Sequence, residues 1–274
     1  MGQERIIHAA LLGAGTVGSG VYKLVKDLEE EIISKTGARL VVDKILVRDT
    51  TKAREGIPSE LLIDRWDEIL NDPQIEIVIE VMGGIRPALT WLEEALRAGK
   101  QVVTANKDLL AEYGEQLFDA AEAGKCDLHF EAAVAGAIPI IRPLRQSLAA
   151  SELTEVMGIV NGTTNYILTR MTEDWMGYEE ALALATKLGY AESDPTADVE
   201  GYDAGRKVAI MASIAFNSNV TFSQVYTEGI THITAEDIRY AKEFGYVIKL
   251  IGMTRLTEGG VEVKVHPMLL PEQH

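Results

Sequence analysis

Residues 6–28 read IIHAALLGAGTVGSGVYKLVKDL, and the fold turns on them. The apolar run 6–12 predicts a first strand that ends in Gly13-Ala14-Gly15-Thr16-Val17-Gly18. Beyond it Val17, Val21, Leu24, Val25 and Leu28 recur at three- and four-residue spacing, which predicts a helix. A G-x-G-x-x-G run between a strand and a helix is the confirming context for a dinucleotide site. Gly13 would permit the tight turn, Gly15 the approach of a pyrophosphate, and Gly18 close helix packing. The phosphates would sit on the exposed N–H groups of the helix start, beside Thr16 and Val17.

Strands and helices then alternate. Residues 40–47 read as a strand that runs into Arg48, Asp49 and, four residues after Arg48, Lys52. An acid at this strand end binds the ribose 2′-hydroxyl of NAD, whereas cations suit the 2′-phosphate of NADP. Arg48 and Lys52 favour NADP, and Asp49 keeps NAD open. Residues 75–82 and 101–104 are further strands, separated by a helix through Trp91, Leu92, Ala95 and Leu96 that Gly99 stops. The strand 101–104 delivers Thr104-Ala105-Asn106-Lys107 at its carboxyl end, where an open α/β sheet binds its ligands. A cation at a helix start opposes the helix dipole, which gives Lys107 a functional reading. A strand at 127–131, a run of small residues and a helix at 139–148 complete the first half.

The second half differs. A strand at 153–160, helices at 167–173, 178–188 and 235–244, and strands at 246–255 and 261–266 predict an α+β arrangement. The expected fold class is therefore α/β: a Rossmann-type domain over residues 1–135, then an α+β substrate-binding and dimerisation domain over 136–274.

The formal charge of −16 argues against a nucleic-acid surface, which needs clustered Lys and Arg. The single cysteine, Cys126, excludes an internal disulfide and fits a reducing compartment. The five histidines lack metal-ligand spacing, and no segment is apolar over a membrane-spanning length. An acid near the N-terminus and a short apolar run leading into glycines predict a first strand in place of a signal peptide, with the cytoplasm as default location.

The stretch 188–207, LGYAESDPTADVEGYDAGRK, gathers Glu192, Asp194, Asp198, Glu200 and Asp203 ahead of Lys207. Pro195 excludes helix from the residue before it, so a loop enters a helix here, with Asp198 as its expected cap. Asp203 and Lys207, four apart, share a helical face. Such a pair alone is ordinarily a solvated surface pair.

Taken in order, GAGTVG, VVTANK, GAIPII, GIVNGTTNYIL and LGYAESDPTADVEGYDAGRK closely resemble homoserine dehydrogenase, from near the N-terminus to past residue 210. The resemblance implies NAD(P)-dependent interconversion of L-homoserine and L-aspartate 4-semialdehyde, on the route to threonine and methionine, by a homodimer joined through the sheet of its second domain. It places Lys207 and Lys107 at the two catalytic lysines, Lys207 as proton donor, and Asp203 at the acid beside the reacting group. Glu192 falls at the homoserine-binding position, with Asp198 and Tyr190 on the substrate side. Val17, Thr104 and Lys107 fall at cofactor contacts, and Glu131, Val134, Gly136 and Ile138 at backbone carbonyls that hold sodium or another monovalent ion. The family's three-glycine run reads Ala135-Gly136-Ala137 here. Family members also continue beyond the equivalent of Met268–Pro271, many with a regulatory domain, so the chain ending at His274 reads as truncated.

The expected chemistry brings two amines, one from each domain, to a single carbonyl oxygen. One protonates it as hydride arrives, and both stabilise the developing charge. The competing readings are a dehydrogenase for another semialdehyde and a dinucleotide-binding protein without turnover. Cys126 lies just before a strand, outside the setting an acylating dehydrogenase needs.

Overall fold

A parallel sheet forms where apolar runs are joined by helical crossovers, and the first half of the chain is built that way. The computed structural model describes residues 5–274; residues 1–4, part of the N-terminal reading above, lie outside the described residues. The chain divides into two compact units, at residues 133 and 134.

The first unit runs β1 (Arg5–Leu12), α1 (Thr16–Asp27), α2 (Glu29–Thr36), β2 (Ala38–Leu46), β3 (Leu62–Ile63), α3 (Asp67–Leu70), β4 (Ile75–Glu80), α4 (Ala88–Arg97), β5 (Gln101–Thr104), α5 (Lys107–Gly124) and β6 (Leu128–His129). Its sheet has the order β3-β2-β1-β4-β5-β6, with every pairing parallel. This is the doubly wound order whose switch point lies between β1 and β4, where such sheets bind a dinucleotide. Ala9, Leu11, Val42 and Ile45 form the core on one side with Tyr22 of α1. Leu89, Leu92 and Leu96 of α4 and Leu109 and Leu117 of α5 are fully buried.

The second unit contains β7 (Glu155–Gly158), α6 (Gly162–Glu173), α7 (Tyr178–Lys187), α8 (Thr196–Val199), α9 (Tyr202–Ala215), β8 (Tyr226–Thr227), α10 (Ala235–Glu243), β9 (Tyr246–Thr257) and β10 (Gly260–Pro271). Its sheet order is β7-β9-β10-β8. β9 and β10 form a long antiparallel hairpin, β7 pairs antiparallel with β9, and β8 pairs parallel with β10. α6, α9 and α10 pack against β9. Gly252 lets α9 come close, since a Cβ there would lie 2.3 Å from Val208 Cγ2 and 3.1 Å from Val160 Cγ2.

The helix expected after the glycines forms as α1, with Val21 and Val25 packed against the core beside buried Gly18 and Tyr22, while Val17 and Leu24 are each 57% exposed. Three local readings are corrected. The strand expected at 127–131 shrinks to β6, since Phe130 O already accepts from Ala133 N and starts a 3₁₀ turn. The helix expected at 139–148 shortens to 141–147, of which Pro143–Ser147 is π-helical and closed by Leu148 N donating to Pro143 O. The strand expected at 153–160 pairs only over β7.

Gly252→Ala is expected to destabilise the protein by about 1–3 kcal/mol, because Val208 is stiff at χ1 and cannot swing aside. Gly20→Ala, inside α1 with no atom within 4 Å of the added Cβ, should stabilise by about 1 kcal/mol through helix propensity. Thermal melting of the two variants, moving in opposite directions, checks both.

Candidate active site

In the first unit the glycine loop does what its spacing implies. Gly13 has φ +99°, and a Cβ on it would lie 3.0 Å from Met82 Cγ. A Cβ on Gly18 would lie 2.1 Å from Gly13 O, so helix and turn touch through bare backbone. At Gly15 nothing lies within 4 Å of a Cβ, which leaves room for a ligand to approach. Gly15 caps α1 without a side-chain hydrogen bond, and Gly15, Thr16 and Val17 are exposed. Unpaired N–H groups at the start of a 12-residue helix suit a pyrophosphate. The residues fit a dinucleotide.

The loop after β2 is organised by Asp49, whose Oδ1 accepts from Thr51 Oγ1 at 2.6 Å and from Thr51 N at 2.9 Å. These bonds, the hydroxyl's first, hold the Asp49 carboxyl below the ordinary aspartate range. Arg54, which sequence reasoning passed over, donates to the carbonyls of Asp49 and Lys52 at 3.1 and 2.8 Å. Arg48 and Lys52 are both exposed on this loop. The D-x-T pattern of an Asx turn was the available signal.

At the carboxyl end of β5, Thr104 and Asn106 are buried and Lys107 is half-buried as the first residue of α5. Asn106 caps that helix, its Oδ1 accepting from Leu109 N at 3.2 Å. Glu131 lies in the 3₁₀ turn that ends the first unit. Val134, Gly136 and Ile138 open the second, with Val134 fully buried and Ala135 and Ala137 left-handed at φ +56° and +61°. Glycine would take that conformation more readily, which is the physical content of the Ala-Gly-Ala departure.

The second unit gathers Asp198, Asp203 and Lys207 around Asn161. Lys207 Nζ donates to Asp203 Oδ2 at 2.6 Å and to Val160 O at 2.8 Å. Asn161 Nδ2 donates to Asp198 Oδ1 at 2.7 Å and Asp203 Oδ2 at 2.9 Å. Its Oδ1 accepts from Thr164 N and Thr164 Oγ1, both at 2.8 Å, so all four hydrogen-bonding positions of the amide are used. Asp203, Asn161 and Thr164 are buried, which makes this a desolvated cluster and removes the solvated-pair reading of Asp203 and Lys207. Asp198 is not the expected cap: it lies inside α8, capped at Pro195, and α9 is capped by left-handed Gly201. The carboxylate of Asp198 is engaged by Asn161 instead, which competes successfully with the free N–H groups of a one-turn helix.

Glu192 is exposed on the loop before α8 and makes no side-chain hydrogen bond or ion pair among the described residues. Tyr190 is 57% exposed, stacks on Tyr166 with ring centroids 4.6 Å apart, and accepts from Thr163 Oγ1 through its carbonyl at 2.8 Å. Asn161 and Thr164 were absent from the sequence-based site. The signal was an asparagine opening a helix three residues before a threonine, within the very motif that carries the resemblance.

The comparisons with known proteins agree with one another. A family model described as homoserine dehydrogenase matches residues 139–274, and one described as homoserine dehydrogenase, NAD binding domain, matches residues 13–131. The chain is 47% identical over 271 residues to a homoserine dehydrogenase of Bacillus subtilis, covering 98% of this chain and 63% of that relative. A crystal structure of a homoserine dehydrogenase from Thiobacillus denitrificans matches with TM-score 0.92 at 45% identity, covering 98% of this chain and 63% of that one. One of the S. aureus homoserine dehydrogenase at pH 6.0 matches with TM-score 0.88 at 42% identity, covering 98% and 68%. The chain thus spans a little under two thirds of the length of the curated relatives it matches.

Asn161→Ala is expected to destabilise the protein by about 1–3 kcal/mol, since two carboxylates lose a buried donor and a helix loses its cap. Denaturant unfolding measures the loss. Asn161→Asp should not restore stability, because it places a third carboxylate beside Asp198 and Asp203.

Proposed function

We propose a reaction for this chain from one premise: the chain belongs to the homoserine dehydrogenase family. The reaction is oxidation of the hydroxyl of L-homoserine to L-aspartate 4-semialdehyde and its reversal, on the route shared by threonine and methionine. The observation that carries it is the Lys207 ammonium, fixed by a buried carboxylate and a carbonyl through two N–H groups. Its third N–H has no acceptor among the described residues.

In the reducing direction that third N–H gives its proton to the aldehyde oxygen as negative charge builds there. In the oxidising direction the same nitrogen, unprotonated, takes the proton from the hydroxyl. When bound, the nicotinamide dinucleotide supplies or accepts the hydride. Asp203 holds the amine in register, and Asn161 holds Asp203. Glu192 is proposed for the substrate ammonium, supported by its exposure and by its want of a partner among the described residues. Asp198 and Tyr190 are proposed to complete the substrate side, and Lys107, at the carboxyl end of β5, to add a second positive charge.

NADP is the proposed cofactor, with NAD as the alternative. Support comes from the exposure of Arg48 and Lys52 and from the engagement of one Asp49 oxygen by Thr51, which leaves that oxygen less available to a ribose hydroxyl. A monovalent ion such as sodium is proposed on the carbonyls of Glu131, Val134, Gly136 and Ile138, since hard cations take oxygen ligands. A second copy of the chain is the proposed partner, through the β7-β9-β10-β8 sheet, whose strands carry exposed Met157, Leu256 and Leu269. The cytoplasm is the proposed location.

With homoserine and oxidised cofactor, followed by absorbance of the reduced nicotinamide, Lys207→Ala is expected to lower kcat by about 10²–10⁴-fold in a protein that still folds. Near-normal turnover would remove Lys207 from this role. In the same assay Arg48→Ala should raise KM for NADP at least tenfold more than KM for NAD; equal changes would favour NAD.

A further inference from the structure

The proposed reaction leaves Glu80 without a part, yet its side chain is fully buried at the carboxyl end of β4. It forms no ion pair among the described residues. A carboxylate taken out of water without a counter-cation is strongly unfavourable unless hydrogen bonds saturate its oxygens. Here Oε1 accepts from Met82 N at 2.8 Å and Gly83 N at 3.1 Å, and Oε2 accepts from Thr104 Oγ1 at 2.6 Å.

The bonds continue into a closed circuit. Thr104 Oγ1 accepts from Asn106 N at 3.0 Å, and Asn106 Nδ2 donates to Gly84 O at 2.7 Å, which returns to the loop where the circuit began. Met82 also packs against the bare Cα of Gly13, the first glycine of the phosphate loop. One carboxylate therefore ties together the loops that follow β1, β4 and β5. β1 and β4 are the neighbours that flank the switch point of the sheet.

We infer that Glu80 is a positioning residue for the dinucleotide: its side-chain oxygens, accepting three hydrogen bonds, hold the 82–84 loop and the Thr104–Asn106 corner in the arrangement that receives the cofactor. The inference rests on the cofactor reading given above. The chemistry demands an acceptor-only group, because all three partners donate. A glutamine of the same shape offers one oxygen to the two backbone N–H groups and presents N–H to Thr104. The threonine hydroxyl must then accept from two donors, and its own O–H loses its partner.

The test uses the full chain as wild type, Glu80→Gln and Thr104→Val. It measures the Kd for NADPH by fluorescence, the KM for homoserine at saturating cofactor, and thermal melting. Glu80→Gln is expected to raise the NADPH Kd at least tenfold while the homoserine KM stays within twofold. Thr104→Val, which removes the hydroxyl that donates to Glu80 Oε2, should weaken NADPH binding in the same sense. A Glu80→Gln protein that melts lower but binds NADPH as wild type does would show a purely structural role and overturn the inference. If Glu80→Gln does not fold, wild-type NADPH binding by Thr104→Val overturns it equally. A wild-type chain that binds neither NADPH nor NADH would instead bring down the cofactor reading, and this inference with it.

Discussion

An asparagine at a helix N-cap can accept and donate at once, and the second unit depends on that double capacity at Asn161. Its oxygen closes the start of α6 while its nitrogen separates and binds two carboxylates from α8 and α9. Serine or threonine in this place could cap the helix but could not serve both acids. Aspartate could cap it and would repel them. With Asn161 in place, Asp203 can be buried, and its side chain directs the Lys207 amine, four residues along the same helix. Gly252 sets how closely α9 lies on β9, and so where that amine stands. The Lys207 amine is thus the last link of a chain that begins with a cap and a missing Cβ.

The fold was legible wherever apolar periodicity and punctuation agreed. The run before Gly13, the stop at Gly99 and the Glu258-Gly259-Gly260 turn each mark an element end that the structure keeps. Where two local rules competed, the reading failed in a specific way. In α1 the apolar residues have helical spacing, but only Val21 and Val25 of them pack inward beside Tyr22, and Val17 and Leu24 face outward. After Arg142 the expected regular helix gives way to a π-helical segment. β3, with two residues, offers no periodicity to read.

The site was legible as residue types and far less so as partnerships. The spacing of Asp203 and Lys207 places them on one face, and the structure joins them. Nothing in that spacing reveals that Asp203 is desolvated, because the burial comes from α6 and the loop before it, some 40 residues upstream. Asp198 shows the same gap from the other side. Its position suits a cap, but a distant amide offers a stronger partner than the N–H groups of a one-turn helix. Glu80 was the least visible of all, lying inside an apolar strand run where its charge reads as an interruption.

The two units share one device. Asn106 caps α5 as Asn161 caps α6, each through its oxygen to the N–H three residues on, and each uses its nitrogen for a neighbouring loop. In the first unit that loop follows β4, and the acid behind the arrangement is Glu80; in the second the nitrogen meets the acids directly. In both, a strand or extended segment ends, an asparagine turns the chain into a helix, and a buried carboxyl group accepts hydrogen bonds from neighbouring donors. The difference is the cation. Lys207 joins the acid cluster of the second unit, whereas Glu80 has no cation among the described residues. A carboxylate held only by neutral dipoles cannot exchange its partners for water without losing several bonds together. That makes the first arrangement stiff, and it suits a frame for a cofactor; in the second the Lys207 amine is itself held by the acid and by the carbonyl of Val160.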